Sequence, residues 1–186
     1  MSKVETLWPF VLSWEGGFCN VPGDSGGATK YGVTISTWKT QGYDKDGDGD
    51  IDVQDLKLIT PSDAMEIFRK NYWNRWKADQ IADQSIANIL VDWLWGSGKY
   101  AITIPQQMLG VKADGIVGAK TLAALNAQDP EAFFAMLWKR REIYLNSICA
   151  NKPSQKKFLA GWLNRLNGIR YGSLTINTIP PKTIRV

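Results

Sequence analysis

A glutamate followed by two glycines is the first candidate for catalysis in this 186-residue chain. Glu15 lies between Trp14 and the run Gly16, Gly17 and Phe18. If Glu15 ends a helix, the negative end of the helix dipole and the apolar neighbours both disfavour its carboxylate form, so we expect its pKa to be raised. A carboxyl group that keeps its proton near neutral pH is the general acid that cleavage of a glycosidic bond requires. The alternative is an ordinary surface glutamate.

A second acid and a hydroxyl follow in the next segment, which is rich in glycine and turn residues. Asp24 lies in a stretch that is able to fold back and face Glu15 across a cleft, and Thr29 is able to orient a water molecule. Gly16 and Gly17 would let a sugar chain approach the backbone closely. The candidate catalytic residues are therefore Glu15, Asp24 and Thr29.

An acidic loop at residues 44–55 holds six aspartates and one lysine. Counted from its first residue, acids fall at positions 1, 3, 5, 9 and 12, with Gly49 at position 6 and Ile51 at position 8. This register is typical of a calcium loop, and without a cation the aspartates would repel one another. We expect a structural Ca²⁺ site that braces an insertion, the alternative being a solvated acidic turn. The candidate ligands are Asp44, Asp46, Asp48, Asp50, Asp52 and Asp55.

That loop departs from a standard EF-hand at its last position. Asp55 stands where a glutamate usually closes the site, and Leu56 and Lys57 follow it. The loop therefore resembles a single dockerin-type repeat. Because there is one such loop and not a pair, a regulatory EF-hand domain is not expected.

The composition excludes several classes of enzyme. The chain has no histidine, which removes Ser-His-Asp and Cys-His hydrolysis and His-ligated zinc peptidases. Residues 139–186 carry ten Lys or Arg and one acid, Glu142. Such a basic segment favours an anionic partner, which is a nucleic acid, a membrane surface or a cell-wall polymer; the alternative is a solvated helix face.

The elements that must position these residues are mainly helical. Apolar spacing, caps and glycines predict helices at about 3–15, 60–73, 85–97, 118–127, 129–150 and 154–167. The pattern of residues 16–36 predicts a loop or short hairpin, and that of residues 173–186 predicts a Pro-containing tail. No apolar run is long enough to span a bilayer, and the N-terminus lacks the pattern of a signal peptide.

The segment around Glu15 extends into a longer motif. Its residues are Glu15-Gly16-Gly17-Phe18, then Pro22, Asp24, Gly26, Gly27 and Thr29, then Tyr31-Gly32-Val33-Thr34. This motif resembles the N-terminal signature of glycoside hydrolase family 108, which comprises bacterial and phage N-acetylmuramidases with a lysozyme-like fold. The stretch 64–73, which ends in Tyr72 and Trp73, and the helix around Asp92 fit the same family.

The resemblance implies roles for particular residues. Glu15 carries over as the catalytic glutamate, and the spacing to Asp24 and Thr29 is similar to that of phage-type lysozymes. Asp24 would stabilise an oxocarbenium-like transition state or position water with Thr29. Flat aromatic faces suit pyranose rings, so we expect one or two of Trp73, Trp76, Trp93 and Trp95 to touch substrate. The candidate substrate-binding residues are Gly16, Gly17, Phe18, Tyr31, Tyr72, Trp73 and Trp95.

A third cluster begins at Gln106 and runs through Asp114-Gly115 and Gly118 to Thr121. It resembles the core of small helical peptidoglycan-binding modules, although an Asp-Gly turn before a helix is equally expected of plain scaffold. We therefore expect a lysozyme-like catalytic half at 1–100, a helical peptidoglycan-binding-like half at 101–172, and a tail at 173–186, packed as one compact unit. The fold class is mainly α, with a small β element after the first helix and an inserted calcium loop.

The leading hypothesis is a muramidase that cuts the β-1,4 bond between N-acetylmuramic acid and N-acetylglucosamine. Its partners would be peptidoglycan strands and anionic wall polymer, with no nucleic acid and no membrane span, and it would act as a monomer without a catalytic cofactor. A cytoplasmic product of this kind reaches the wall through a holin, lysis or another non-classical route. The alternatives are a lytic transglycosylase and a non-catalytic, calcium-braced wall-binding or secretion accessory protein.

Overall fold

The computed structural model describes residues 1–20 and 27–186, and most of these residues are helical. The helices are α1 Val4–Trp14, α2 Ile35–Gln41, α3 Val53–Leu58, α4 Pro61–Phe68, α5 Gln84–Ser97, α6 Tyr100–Met108, α7 Ala119–Asn126, α8 Pro130–Asn151 and α9 Lys156–Asn167. The strands are β1 Thr29–Lys30, β2 Val33–Thr34, β3 Ile169–Arg170, β4 Ser173–Ile176 and β5 Lys182–Arg185. The expected mainly α class is confirmed.

Side-chain caps set the starts of several helices where the sequence places them. Thr60 accepts a hydrogen bond from the N–H of Asp63, and the Asp63 side chain bonds back to Thr60, with Pro61 in the first turn. Asp129, ahead of Pro130, caps α8 by accepting a hydrogen bond from the N–H of Ala132. The α4 helix ends at Phe68 and continues as a π-helical turn, Arg69–Trp73, so the chain stays helical to the predicted end at a different pitch.

Helix α5 runs through the centre of the molecule. Every residue from Ser85 to Leu94 is buried. Helices α6 and α8 and strand β3 all pack against it. Asp92 is the single charged residue of this helix, and it lies in the part that is buried on all sides. A helix that is buried around its whole circumference belongs to the core of a domain.

The first helix and the hairpin place Glu15 at an edge of this core. Val4, Leu7, Phe10 and Val11 recur at helical spacing and are fully buried, and the helix ends at Trp14 with Glu15 as its C-cap. Strands β1 and β2 form a short antiparallel hairpin a few residues later. The early β element is thus where the sequence predicted it.

The segment 173–186, expected as a tail, instead forms strands. Strands β3, β4 and β5 make an antiparallel sheet, with Leu174 paired to Ile169 on one side and Ile184 on the other. Strand β4 packs on α1, and Leu174 is fully buried. Gly168 joins α9 to this sheet so tightly that an added Cβ would lie 2.9 Å from the Phe10 ring. The C-terminal elements are therefore held against the helix that ends at Glu15.

Three helices were not expected from the sequence. Helices α2 and α3 flank the acidic loop, and α6 follows α5 after Gly98, whose φ is +55°. Among the described helices, none combines the length and the apolar character that a bilayer crossing needs. Pro22, Gly23, Asp24 and Gly26 lie outside the described residues.

Candidate active site

The carboxylate of Glu15 is half-buried and held through one oxygen. Oε1 accepts a hydrogen bond of 2.7 Å from the indole N–H of Trp95 and one of 2.9 Å from the guanidinium of Arg165. Among the described residues, no donor bonds to Oε2. The side chains of Glu15 and Arg165 are 17% and 16% exposed. Glu15 is therefore a positioned group at the protein surface and not a free surface glutamate.

Gly32 in the hairpin turn approaches this carboxylate closely. Its φ is +76°, and an added Cβ would lie 2.3 Å from the Trp95 ring and 3.0 Å from Oε2 of Glu15. The N–H of Tyr31, whose φ is +50°, donates to the carbonyl of Gly16. The turn therefore closes over Glu15, and only glycine combines this backbone conformation with this clearance.

Replacing Gly32 with alanine is expected to displace Trp95 from Glu15. Because Trp95 fixes the orientation of the carboxyl group, kcat/KM should fall by about 10- to 100-fold, and the free energy of unfolding by roughly 1–3 kcal/mol. Gly172→Ala is the matched control, since its φ is +75° and an added Cβ meets no atom within 4 Å. Equal activity of the two variants would contradict this account.

Four charged groups form a chain that begins at Glu15. Arg165 bonds to Glu15 and, at 2.7 and 3.0 Å, to Oδ1 of Asp92, while Arg141 bonds to Oδ2 of Asp92 at 2.8 Å. Asp92 is fully buried and Arg141 is 4% exposed. Two acids and two guanidiniums leave this chain electrically neutral when both acids are ionised.

Burial and pairing act in opposite directions on this chain. Burial alone would raise the pKa of Asp92, but Arg165 and Arg141 outweigh it and hold the pKa below its usual value. Burial lowers the pKa of Arg141, and Asp92 offsets part of that effect. The pKa of Arg165 is raised, because Asp92 and Glu15 together outweigh its burial. Arg165 is therefore a permanent cation beside Glu15.

Sequence reasoning named Asp92 as part of a motif but missed that Arg165 joins it to Glu15. The sequence did contain a signal that Asp92 is paired. A single acid inside an apolar helix predicts a buried cationic partner, because an unpaired buried charge is costly. Nothing in the spacing indicates that the partner of both Asp92 and Glu15 lies on α9, 150 residues after Glu15.

Backbone hydrogen bonds join the segment after Glu15 to the hairpin, one of them from the N–H of Tyr31 to the carbonyl of Gly16. Gly16, Gly17 and Phe18 are exposed and follow Glu15 directly. Thr29 lies on β1, where its hydroxyl donates to the carbonyl of Gly27 at 3.4 Å and makes no hydrogen bond to Glu15. Asp24, the third predicted catalytic residue, lies outside the described residues.

The aromatic residues divide into core and cleft. Trp73 is fully buried and its indole N–H donates to Asp79 at 2.7 Å, so its prediction as a substrate contact was wrong. Trp76 and Trp93 are fully buried as well. Tyr72 and Trp95 are partly exposed and meet edge to face, with ring centroids 4.6 Å apart. Burial raises the pKa of Tyr72, and the nearby charge of Glu15 raises it further while Arg75 lowers it.

The acidic loop lies between α2 and α3 and gathers its carboxylates into two groups. Oxygens of Asp44, Asp46 and Asp48 lie within 4.8 Å of one another, and so do those of Asp50, Asp52 and Asp55. No Lys or Arg of the described chain forms an ion pair with any of the six. Repulsion, chiefly from Asp48, raises the pKa of Asp50. This concentration of unpaired carboxylate oxygen suits a hard divalent cation such as Ca²⁺.

Asp55 differs from the other acids of the loop. It is fully buried, and its carboxylate accepts hydrogen bonds from the backbone N–H groups of Lys45, Asp46 and Asp52. These bonds, above all the one from Asp52, keep its pKa below the usual value. Asp55 thus organises the loop backbone, whether or not one of its oxygens also ligates a cation.

The third cluster is a closed hydrogen-bonded turn. Gln106 is fully buried; its amide donates to the carbonyl of Ile116 at 3.0 Å, and its Oε1 accepts from the N–H of Gly115. Asp114 accepts from the N–H of Ile116 at 2.9 Å. These contacts satisfy the polar groups within the turn, which favours the scaffold interpretation of the cluster.

Comparison with known proteins gives a family match for each half of the chain. Residues 8–98 match the family model described as Glycosyl hydrolase 108, and residues 100–167 match the model described as Predicted Peptidoglycan domain. The chain is similar to the solved structure of Brucella abortus SagA, with 29% sequence identity, a TM-score of 0.71, and coverage of 89% of this chain and 90% of that chain. A comparison with curated proteins gave no match.

The two matches agree with the motif at Glu15 and with the lysozyme-like helical fold. The second match names peptidoglycan as the polymer, and the first names hydrolysis of a glycosidic bond as the reaction class. The resemblance inferred from the sequence is confirmed: residues 8–98 match glycosyl hydrolase family 108, and together with the second match they identify a peptidoglycan hydrolase.

Proposed function

We propose that the protein is an N-acetylmuramidase that hydrolyses the β-1,4 bond between N-acetylmuramic acid and N-acetylglucosamine, with Glu15 as the general acid. The observation that carries this proposal is the asymmetric environment of the Glu15 carboxyl group. Trp95 and Arg165 donate to Oε1, while Oε2 faces the glycine turn at Gly32.

This asymmetry suits proton donation from Oε2. In a protonated carboxyl group, Oε1 remains an acceptor for both donors, so the proton is directed to Oε2 and toward a sugar oxygen in the cleft. After donation, the new carboxylate receives charge-assisted hydrogen bonds from Arg165 and Trp95. These donors therefore stabilise the charge that develops in the transition state.

Asp24 and Thr29 complete the proposed reaction. Asp24 would stabilise the oxocarbenium-like transition state or, with Thr29, position the attacking water. Tyr72 and Trp95 would supply the apolar face against which a pyranose ring packs. Gly16, Gly17, Phe18 and Tyr31 would line the approach of the glycan.

We further infer that the two matched regions work as one unit, with a catalytic half at 1–100 and a wall-binding half at 101–172. Support comes from Arg165 and Arg141, which lie in the second half and pair with Glu15 and Asp92 in the first. The basic residues from Lys139 onward would hold this monomer on anionic wall polymer. The region matched to the hydrolase family alone would lack the cation that positions its own general acid.

Product analysis tests the proposed bond and reaction. Purified peptidoglycan is digested with the wild-type protein, and the soluble products are identified by mass spectrometry before and after borohydride reduction. We expect reducing disaccharide–peptides that end in N-acetylmuramic acid. Products that end in N-acetylglucosamine would overturn the bond assignment, and 1,6-anhydro products would make the protein a lytic transglycosylase.

A structural Ca²⁺ ion in the acidic loop is part of the same proposal. The consequence for the site would be mechanical, because α3 follows this loop and contacts β1 of the hairpin. The ammonium of Lys30 on β1 bonds to the carbonyl of Lys57, and Lys57 in turn lies 5.5 Å from the Phe18 ring centroid. Ordering the loop would therefore brace the turn that closes over Glu15.

Calcium is expected to raise the stability of the protein by mass action. At a Ca²⁺ concentration one hundred times Kd, the free energy of unfolding should rise by about 2.7 kcal/mol. Thermal unfolding in millimolar CaCl₂, MgCl₂ and EDTA measures this effect, and Asp44→Asn should reduce it. Asp129→Asn, which keeps a competent helix cap outside the loop, is the control. An unfolding temperature that is the same in CaCl₂ and EDTA would refute the site.

A further inference from the structure

Helix α9 carries two aromatic side chains beside the face that it turns to the core. Leu159, Leu163 and Leu166 recur at helical spacing and pack on the hydrophobic core. Phe158 and Trp162 each precede one of these leucines, which places them about 100° further around the helix axis. Phe158 is 46% exposed, and its ring stacks on that of Trp162 with the centroids 6.0 Å apart. Core packing therefore accounts for the leucines but not for the exposed ring of Phe158.

This aromatic pair of α9, Trp162 and Phe158, extends the candidate active site. Trp162 lines a cavity of about 210 Å³ together with Trp95 and Arg165, which both donate to Glu15. Phe158, Trp162 and Arg165 are spaced i, i+4 and i+7, so they share one face of α9. Phe158 lies about 10.5 Å along the helix axis from Arg165. Trp95, Trp162 and Phe158 thus form a line of accessible aromatic side chains that leads away from the general acid.

The charges around the aromatic pair favour an anionic polymer over a second copy of the chain. Lys156 and Lys157 are exposed next to Phe158, and neither forms an ion pair in the described part of the chain. A two-fold interface on this face would bring the same lysines together from both copies. Like charges that face each other across an interface are unfavourable. Peptidoglycan, whose muramic acid units and stems carry carboxylates, has the complementary charge.

The shape of the aromatic pair also suits this polymer. Pyranose rings pack their apolar C–H faces against flat aromatic side chains. The ammonium of Lys157 lies 4.9 Å from the centroid of the Phe158 ring. Such a contact is weak at an exposed site, so a sugar ring can displace the lysine from the aromatic face. The displaced ammonium would then stay within reach of a carboxylate on that sugar or its stem.

We propose that Trp162 and Phe158 form a distal platform for the glycan strand, on which sugar rings stack at a distance from the bond that is cleaved. The inference rests on the proposed muramidase function and adds residues that bind the strand beyond the sugars at Glu15. A tetrasaccharide that straddles the cleaved bond should end short of Phe158, whereas longer strands reach it. The enzyme should therefore prefer long strands.

The experiment compares substrates that differ in length alone. Peptidoglycan strands are freed of their cross-links by an endopeptidase, keep their stems, and are fractionated into tetrasaccharides and longer strands. Phe158→Ala and Phe158→Leu remove the flat ring, and Phe158→Tyr keeps it; all three changes are at an exposed position. Met136→Ala is the matched control, because it removes another apolar side chain, 55% exposed, from α8 outside the cavity. KM, expressed per cleavable bond, and kcat are measured on both substrates.

The wild-type protein, Phe158→Tyr and Met136→Ala are expected to show a KM about tenfold lower for the longer strands, equivalent to about 1.4 kcal/mol. Phe158→Ala and Phe158→Leu should lose this preference, since neither offers a flat face. A wild-type KM that is the same for both lengths would overturn the platform and leave the muramidase intact. So would a preference that survives in Phe158→Ala, or a Phe158→Ala effect of equal size on both substrates. Cleavage of neither substrate would overturn the proposed function itself.

A binding measurement tests the platform independently of cleavage. Tetrasaccharides and longer strands are titrated by calorimetry into Glu15→Gln and into the double variant with Glu15→Gln and Phe158→Ala. The single variant is expected to bind the longer strands about tenfold more tightly, and the double variant to bind both lengths alike. Affinity that does not depend on length in the single variant would refute the platform. A wild-type dimer that Phe158→Ala dissociates in analytical ultracentrifugation would also refute it, because a second copy would then cover the aromatic pair.

Discussion

Glu15→Gln is expected to lower kcat for peptidoglycan cleavage by about 10²- to 10⁴-fold, which is the usual contribution of a general acid. Glutamine keeps the size of the side chain and an oxygen that accepts from Trp95, but it has no proton to give to the leaving group. KM should change little, because the sugar-facing aromatic residues are untouched. Steady-state release of reducing ends from purified peptidoglycan measures both constants.

Glu66→Gln is the control for this substitution. Glu66 lies on α4, is exposed and forms no ion pair in the described part of the chain, so the same chemical change should leave kcat unaltered. Sedimentation with sacculi should show that both variants still bind the wall. If Glu15→Gln retained a third or more of the wild-type kcat with correct folding, another residue would have to be the acid.

The local features of this site were predictable from the sequence because they depend on neighbours in the chain. Apolar spacing fixed α1, and the two glycines after Glu15 fixed its end, so the position of Glu15 as C-cap followed. Caps such as Thr60 and Asp129 set the starts of α4 and α8 in the same local way. Interactions over three or four residues suffice for these assignments.

It was harder to predict which tryptophans are buried in the core and which reach the cleft. Trp93 and Trp95 are two residues apart in α5, which places them about 200° apart around the helix axis. When one of them reaches the cleft, the other must point into the core, and Trp93 is the one that is buried. For Trp73, the π-helical turn after Phe68 changes the angular spacing, so helical periodicity alone does not predict its burial.

The pairing of Glu15 with Arg165 was beyond local reasoning. It requires α9 to lie against α1, and that contact depends on the unexpected C-terminal sheet, in which the N–H of Thr175 bonds to the carbonyl of Gly168. Strand β4 packs on α1 at the same place. Short strands paired over a few residues leave a weak alternation in the sequence, so the sheet and the site contact that it creates were missed together.

Asp92→Asn is expected to lower the free energy of unfolding near neutral pH by roughly 3–5 kcal/mol, since it removes the only acid between two buried guanidiniums. It should also lower kcat, because Arg165 loses the partner that aligns it with Glu15. Urea unfolding and the peptidoglycan assay measure the two effects. Asp83→Asn is the matched control on the same helix, because asparagine caps α5 as well as aspartate does.

The pH dependence of the stability lost in Asp92→Asn distinguishes a charge effect from a packing effect. Arg165 and Arg141 hold the pKa of Asp92 below its unfolded value of about 3.9. The stabilisation by the carboxylate is therefore complete above about pH 3.9 and disappears as the pH falls through the folded-state pKa. The difference between wild type and Asp92→Asn should thus be constant from neutral to weakly acidic pH and should shrink in stronger acid. A difference that stays constant in acid would mean that the asparagine disturbs packing, and that the charge of Asp92 does not hold the two guanidiniums in place.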